Sequence, residues 1–261
     1  MPQSIDHVVI AVRDLAQAAA DYERLGFTVT PGGYHTGGAT HNSLISFADG
    51  AYIELIAFTE PDRPQAHKWW AKFALGEGTV DFALLSADLA AEASQLRQAG
   101  IAVEGPIDGG RERPDGERIA WKSLTVASDD GPLPFVIEDV TPRELRVPPG
   151  DATRHALGVT GVAGVSVLVP DLERATSLYE TFLGSRGEEI AVVGHDLRRT
   201  RRFQSGPHWI ELAEPVPDAH VLHEAIANRG IAPYRLVLAT NGAAPTSLPL
   251  SQTHGARIEL D

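Results

Sequence analysis

One unit recurs along the chain, and that recurrence limits the possible folds more than any other property. Ser4 to Leu15 reads as a buried, β-branched strand with His7 near its start, running into Asp14-Leu15, which opens a helix. Val80 to Leu89 ends in Asp88-Leu89 and Val162 to Leu172 ends in Asp171-Leu172. Aligning the Asp-Leu pairs places His7, Asp81 and Gly164 at one structural position. The copies also close alike, on Ile53-Glu54, Ile137-Glu138, Ile210-Glu211 and Ile258-Glu259. His7 precedes Glu54 by 47 residues, and Gly164 precedes Glu211 by 47. A fixed offset of this kind marks duplication.

Within the first copy, Asp14 caps a helix whose apolar face is Leu15, Ala18, Ala19, Tyr22 and Leu25, and Gly26 closes it. Phe27 to Thr30 is a short strand, and the glycines of Pro31 to Gly38 read as a loop. Thr40 to Phe47 and Ala51 to Phe58 form a hairpin through Ala48-Asp49-Gly50, so the unit is βαβββ. The second copy follows a helix around Gln65 to Leu75, where Trp69 and Trp70 read as core or interface. Its strands are Ile101 to Val103, Ile119 to Ala127 and Pro134 to Asp139, with a charged hairpin loop from Arg111 to Arg118. Thr141 to Asp151, rich in proline and charge, reads as a linker dividing the chain into domains 1–148 and 149–261. The third copy has its helix from Asp171 to Leu183. The fourth starts at Tyr234 to Ala239, and only 18 residues separate Asn241 from Glu259 against 50 from Asp88 to Glu138, so it is truncated. The expectation is an α+β fold of tandem βαβββ units.

Alternation along a strand puts His7 on one face with Val9 and Ala11, and Glu54 with Tyr52 and Ile56. Pairing the first two copies adds Asp81 and Glu138, giving four metal-capable side chains in one cup. The C-terminal equivalent offers Gly164, Glu211, Tyr234 and Glu259, with no imidazole. His41 shares its face with Ser43, Ile45 and Phe47 and is a further candidate lining residue, as is His35 in the glycine-rich stretch. His220, His223 and Glu224 match no zinc motif and read as surface.

A formal net charge of −13 argues against a nucleic-acid partner, which would call for a basic face. The absence of cysteine excludes disulfides, thiolate nucleophiles and cysteine-bound metal. No secretory signal and no membrane-length apolar run is seen, so a cytoplasmic location is expected.

Paired βαβββ units with a histidine on the first strand and a glutamate closing each unit resemble the vicinal oxygen chelate superfamily, which includes glyoxalase I, extradiol dioxygenases and bleomycin-resistance proteins. The run His7 to Leu15, Gly32-Gly33 with His35, Thr40, Asn42, Tyr52 to Leu55, Arg111 to Gly116, Trp121 and Pro134 to Glu138 resembles its glyoxalase-like-domain family. The resemblance implies ligands from the first and last strands of paired units: His7, Glu54, Asp81 and Glu138. Asp81 stands where enzyme relatives carry His or Gln. One imidazole and three carboxylates favour a harder divalent ion than zinc: Fe, Mn, Ni, Co or Mg.

Three converging carboxylates also need neutralising, by a metal, by shared protons, or by Arg111 or Arg113. The leading expectation is a metal-dependent isomerase, lyase or dioxygenase acting on a small carbonyl or vicinal-oxygen substrate. Glu138 or Glu54 would move the proton, and Arg111, Arg113, Trp121, Tyr52, His41 and His35 would contact substrate. The alternative is a metal-free binding or sequestering protein with an aromatic cup around Tyr52 and Trp121. A third reading makes the C-terminal half a homodimerisation platform.

Overall fold

The three Asp-Leu pairs are helix starts: the side chains of Asp14, Asp88 and Asp171 accept hydrogen bonds from the amides of Gln17, Ala91 and Arg174 at 2.9–3.0 Å. A computed structural model describes residues 4–127, 133–192, 195–230, 232–242 and 244–261. In order, the chain forms β1 (Ser4–Val12), α1 (Leu15–Arg24), β2 (Thr30–His35), β3 (Thr40–Ser46), β4 (Tyr52–Phe58) and α2 (Trp70–Ala74). Then come β5 (Gly78–Leu85), α3 (Leu89–Gln98), β6 (Ala102–Glu112), β7 (Arg118–Ala127), β8 (Phe135–Asp139) and α4 (Arg143–Arg146). A 3-10 turn (Gly150–Thr153) leads to β9 (Val159–Leu168), α5 (Leu172–Leu183), β10 (Glu188–Ile190), β11 (Leu197–Ser205), β12 (His208–Pro215) and α6 (His220–Arg229). The chain ends with β13 (Pro233–Thr240), β14 (Thr246–Ser247) and β15 (Ile258–Leu260). Among the described residues no helix is long and apolar enough to cross a membrane.

The first eight strands close into a barrel in the order β1-β4-β3-β2-β6-β7-β8-β5. The two four-stranded halves join where β1 runs antiparallel to β5 and β2 antiparallel to β6. The remaining strands form an open sheet, β10-β11-β12-β9-β13-β15-β14. Outward-facing barrel residues such as Val8, Ile10, Ile53 and Leu84 share one continuous apolar layer with α1, α3 and α5 and with Val165, Leu212 and Leu236 of the open sheet. Inside the barrel a second cluster gathers Val9, Ala11, Ile56, Val80, Ala83 and Phe135 beneath Trp69 and Phe73.

The strand expected from Phe27 begins only at Thr30, the helix expected around Gln65 to Leu75 is only α2, and the strand expected over Ile101 to Val103 extends to Glu112. Two further differences shape the site. Residues 31–35 belong to β2, and their glycines serve close packing: a Cβ on Gly33 would lie 1.8 Å from the Glu112 carbonyl oxygen, and one on Gly32 2.0 Å from Asn42 Oδ1. The expected linker contains α4, whose Arg146 is 2% exposed and plugs the barrel floor.

Candidate active site

A β-bulge between Ile5 and His7 turns both Asp6 and His7 toward the barrel interior. Asp6 is buried and receives Arg146 Nη1 at 2.9 Å and Arg143 Nη1 at 2.6 Å. Burial opposes its charge most strongly, but Arg146 and His7 together outweigh it, and Asp6 is held well below the usual carboxylate range. Arg146 also bonds Asp139 through Nε at 2.5 Å and the Tyr52 hydroxyl through Nη1 at 2.8 Å.

Above this floor stands the chemistry. His7 Nδ1 meets Asp6 Oδ1 at 2.6 Å, its ring stacks on Tyr52, and Phe135 packs edge-on at 5.3 Å. Its Nε2 faces Glu54 Oε2 at 3.5 Å. From the other side His35 Nε2 faces Glu54 Oε1 at 3.3 Å, while His35 Nδ1 is 2.9 Å from the Thr40 hydroxyl. Asn42 Nδ2 donates to Glu54 Oε1 at 2.6 Å. Burial raises the Glu54 pKa, yet His35, His7 and Asn42 together bring it down to about 2.

This group lines a cavity of about 220 Å³ together with Arg111, Trp121, Phe135 and the segment His67 to Trp69. That segment covers the cup. Trp69 Nε1 donates to Asp81 Oδ2 at 2.8 Å, and Lys68 Nζ reaches the same oxygen at 3.1 Å while lying 3.7 Å above the Phe135 ring. Burial, reinforced by Lys68, lowers the His67 pKa to about 4, so this imidazole is neutral near pH 7.

The structure brings some expected residues together and separates others. His7, His35, Tyr52, Glu54, Arg111 and Trp121 line the cup. Glu138 does not: β5 pairs Ala83 with Phe135 and Leu85 with Ile137, so Phe135 and Ile137 face inward. Glu138 faces the helix layer, where Oε2 accepts from the Leu89 amide at 2.8 Å. A shift of one residue reverses the face, and the Ile-Glu signature hid that shift. Asp81 is spent on Trp69, Lys68 and the Phe82 amide. His41 lies outside the cup, stacked on Tyr34 at 5.2 Å, because its neighbours Thr40 and Asn42 are the inward residues of β3. Arg113 pairs with Asp115 and Glu117 in the hairpin. Sequence reasoning passed over Asp6, Arg146, Asn42 and His67 as site residues. The Asp6-His7 pair was the available signal for Asp6, whereas a proline-rich setting concealed Arg146.

The expected metal cage is therefore not assembled. Two of its four ligands, Asp81 and Glu138, point elsewhere, and His7 and Glu54 stay in the cup with His35 beside them. In the open sheet, Glu211 is enclosed by Ser166, Arg202 and Arg235, and a Cβ on Gly164 would meet the Trp209 ring at 2.2 Å. The place of His7 is thus filled there by indole.

Residues 5–183 match the family model described as a glyoxalase-like domain. Among curated proteins none matches significantly. Solved structures share the fold. A hypothetical protein from Staphylococcus aureus superposes with a TM-score of 0.74 at 15% identity, covering 99% of this chain and 98% of that one. A triple mutant of 4-hydroxymandelate synthase from Streptomyces coelicolor gives 0.61 at 16%, covering 96% and 78%. The 2,2',3-trihydroxybiphenyl 1,2-dioxygenase from Sphingomonas wittichii gives 0.59 at 14%, covering 100% and 90%. At such identities the likeness is one of fold, and function must come from the site.

Proposed function

This chain belongs to the glyoxalase-like domain family of the vicinal oxygen chelate superfamily, and from that premise we propose that its N-terminal barrel is an enzyme whose cup moves a proton on a small carbonyl-bearing substrate. One observation carries the reading: two imidazole Nε2 atoms face the two oxygens of one buried carboxylate, at 3.5 and 3.3 Å. A carboxylate with a pKa near 2 is a poor proton acceptor at neutral pH. Glu54 is then the fixed anion that orients both rings and balances the charge when one is protonated, rather than the base.

Both nitrogens of His7 face carboxylates, and its ring is clamped between Tyr52 and Phe135. His35 is more open, with a side chain 18% exposed, and it borders the cavity. We assign His35 the proton transfer and His7 the task of holding Glu54 in place. This transfer breaks the C–H bond beside the carbonyl and leaves its electron pair in the enolate, with the proton on His35; returning that proton to the same carbon gives exchange, and returning it to a neighbouring atom gives isomerisation. Solvent-deuterium exchange at the carbon next to the carbonyl, followed by NMR, tests it.

A second reading, ligand storage without turnover, is favoured by the aromatic lining of Trp69, Trp121 and Phe135. It predicts tight retention of a flat ligand with no exchange.

A further inference from the structure

We propose that the molecule taken into this cup is an aromatic acid, its carboxylate received by Arg111 and its ring held against the aromatic lining of Trp69, Trp121 and Phe135. The inference rests on the N-terminal cup being the functional site, and it adds the class of ligand.

The charges of the cup can be paired off. Asp6 and Asp139 are met by Arg143 and Arg146. Asp81 is met by Lys68, and Glu54 faces His7 and His35. Arg111 is left over: among the described residues no carboxylate lies within ion-pair distance of it. Yet its side chain borders the cavity and Arg111 is only 4% exposed. A guanidinium carries five N–H donors. The one hydrogen bond it makes among the described residues runs from Nη2 to the Arg146 carbonyl at 2.8 Å, and the buried Nε has no acceptor. A buried cation with unused donors is costly unless an anion completes it. The planar fork suits a carboxylate, which can accept two parallel N–H bonds.

The remainder of the cavity describes the rest of the ligand. Trp69 and Phe135 pack on one another with centroids 6.0 Å apart and form one stretch of the wall, Trp121 meets His35 edge-on at 5.9 Å, and Ile56 and Ile137 also line the cavity. Such surfaces favour a flat apolar body. About 220 Å³ falls below the range of drug-sized pockets, which points to a ligand of one ring.

Titration calorimetry on the full-length protein decides it, comparing benzoate and 3-phenylpropanoate with benzamide and 3-phenylpropanamide. The acids should bind at least about tenfold more tightly than their amides, since a charge-assisted fork is lost in the amide. Arg111→Gln should abolish that preference, and Arg111→Lys should retain part of it. Should the Gln variant fail to fold, the acid-to-amide ratio of the unaltered protein decides alone. Equal affinity for acid and amide, no binding of either, or a folded Arg111→Gln protein that keeps the preference would overturn the assignment. An acid preference that persists while no deuterium exchange is seen supports the carboxylate assignment and counts against the proton-transfer reading, so the two failures are distinguishable.

Discussion

The His7 imidazole lies on the Tyr52 ring with centroids 4.6 Å apart and planes 18° from parallel, so the histidine of the cup rests on a side chain anchored to the floor. The anchor is the Tyr52 hydroxyl, which receives Arg146 Nη1 at 2.8 Å. Tyr52→Phe keeps the stack and removes that acceptor. It should cost about 1–2 kcal/mol in urea unfolding. Arg146→Met leaves Asp6 buried without its main counter-charge and should cost about 3–5 kcal/mol. The pH dependence follows from Asp6. Its pKa is depressed on folding, so the contribution is present above the unfolded value of 3.8 and is lost as pH falls through the lower folded value. The gap between wild type and Arg146→Met should therefore be widest near pH 7 and close only in strong acid. A gap that widened on acidification would contradict this account of the floor.

Glu54 gives a second pH signature. Its pKa falls from 4.5 in the unfolded chain to about 2 in the fold. At about 1.4 kcal/mol per unit, ionisation of this group supplies roughly 3 kcal/mol above pH 4.5, declining as pH drops toward 2. Glu54→Gln should be less stable than wild type at pH 7, and the difference should shrink steadily between pH 4.5 and 3. Denaturant titrations at three pH values measure it, and a constant difference would show that Glu54 is not held charged by its histidines.

Glu138 and Asp81 separate the helix-layer acid from the cup-cover acid. Glu138→Gln weakens only the contact with the Leu89 amide at the start of α3, worth about 0.5–1 kcal/mol, and should leave ligand affinity unchanged. Asp81→Asn loosens both Trp69 and Lys68 above the cavity and should speed ligand release several-fold. Stopped-flow tryptophan fluorescence reads both. Slower release in Asp81→Asn, or lost affinity in Glu138→Gln, would reverse the two roles.

Much of this was readable from the chain, and the failures on the strands share a cause. The helix starts could be seen because each Asp-Leu is a helix cap, a local signal. Alternation correctly put Tyr52 and Glu54 on one face, since β4 is regular from Tyr52 to Phe58. It misled wherever register depends on a neighbouring strand. Glu138 sits one residue away from the inward Ile137, and the inward residue of β3 is Asn42 rather than His41. The bulges in the β1–β5 pairing, which turn Asp6 inward and interrupt the register near Asp81, have no marker in composition. Arg146 was hidden in another way. Proline and charge suggested an exposed linker, and only the distant Asp6 and Asp139 make its burial possible.

Metal removal offers a further check. Because the four expected ligands do not converge, binding of an aromatic acid should survive dialysis against a chelator with affinity unchanged within about twofold. Elemental analysis before and after dialysis accompanies the calorimetry. A stoichiometric divalent ion whose removal abolishes binding would show that the cup closes around a metal after all.

The central claim is that His35, held by a Glu54 that is charged at neutral pH, moves a proton beside a carbonyl. Its most direct measurement is the NMR rate of deuterium uptake at that carbon, across a panel of small aromatic carbonyl acids in D2O, for wild type, His35→Ala and Glu54→Gln. Exchange well above the buffer rate in the wild type, falling by about 10²-fold or more in both variants, is the predicted result. Uptake no faster than in buffer alone, or a wild-type rate undiminished in either variant, would contradict it.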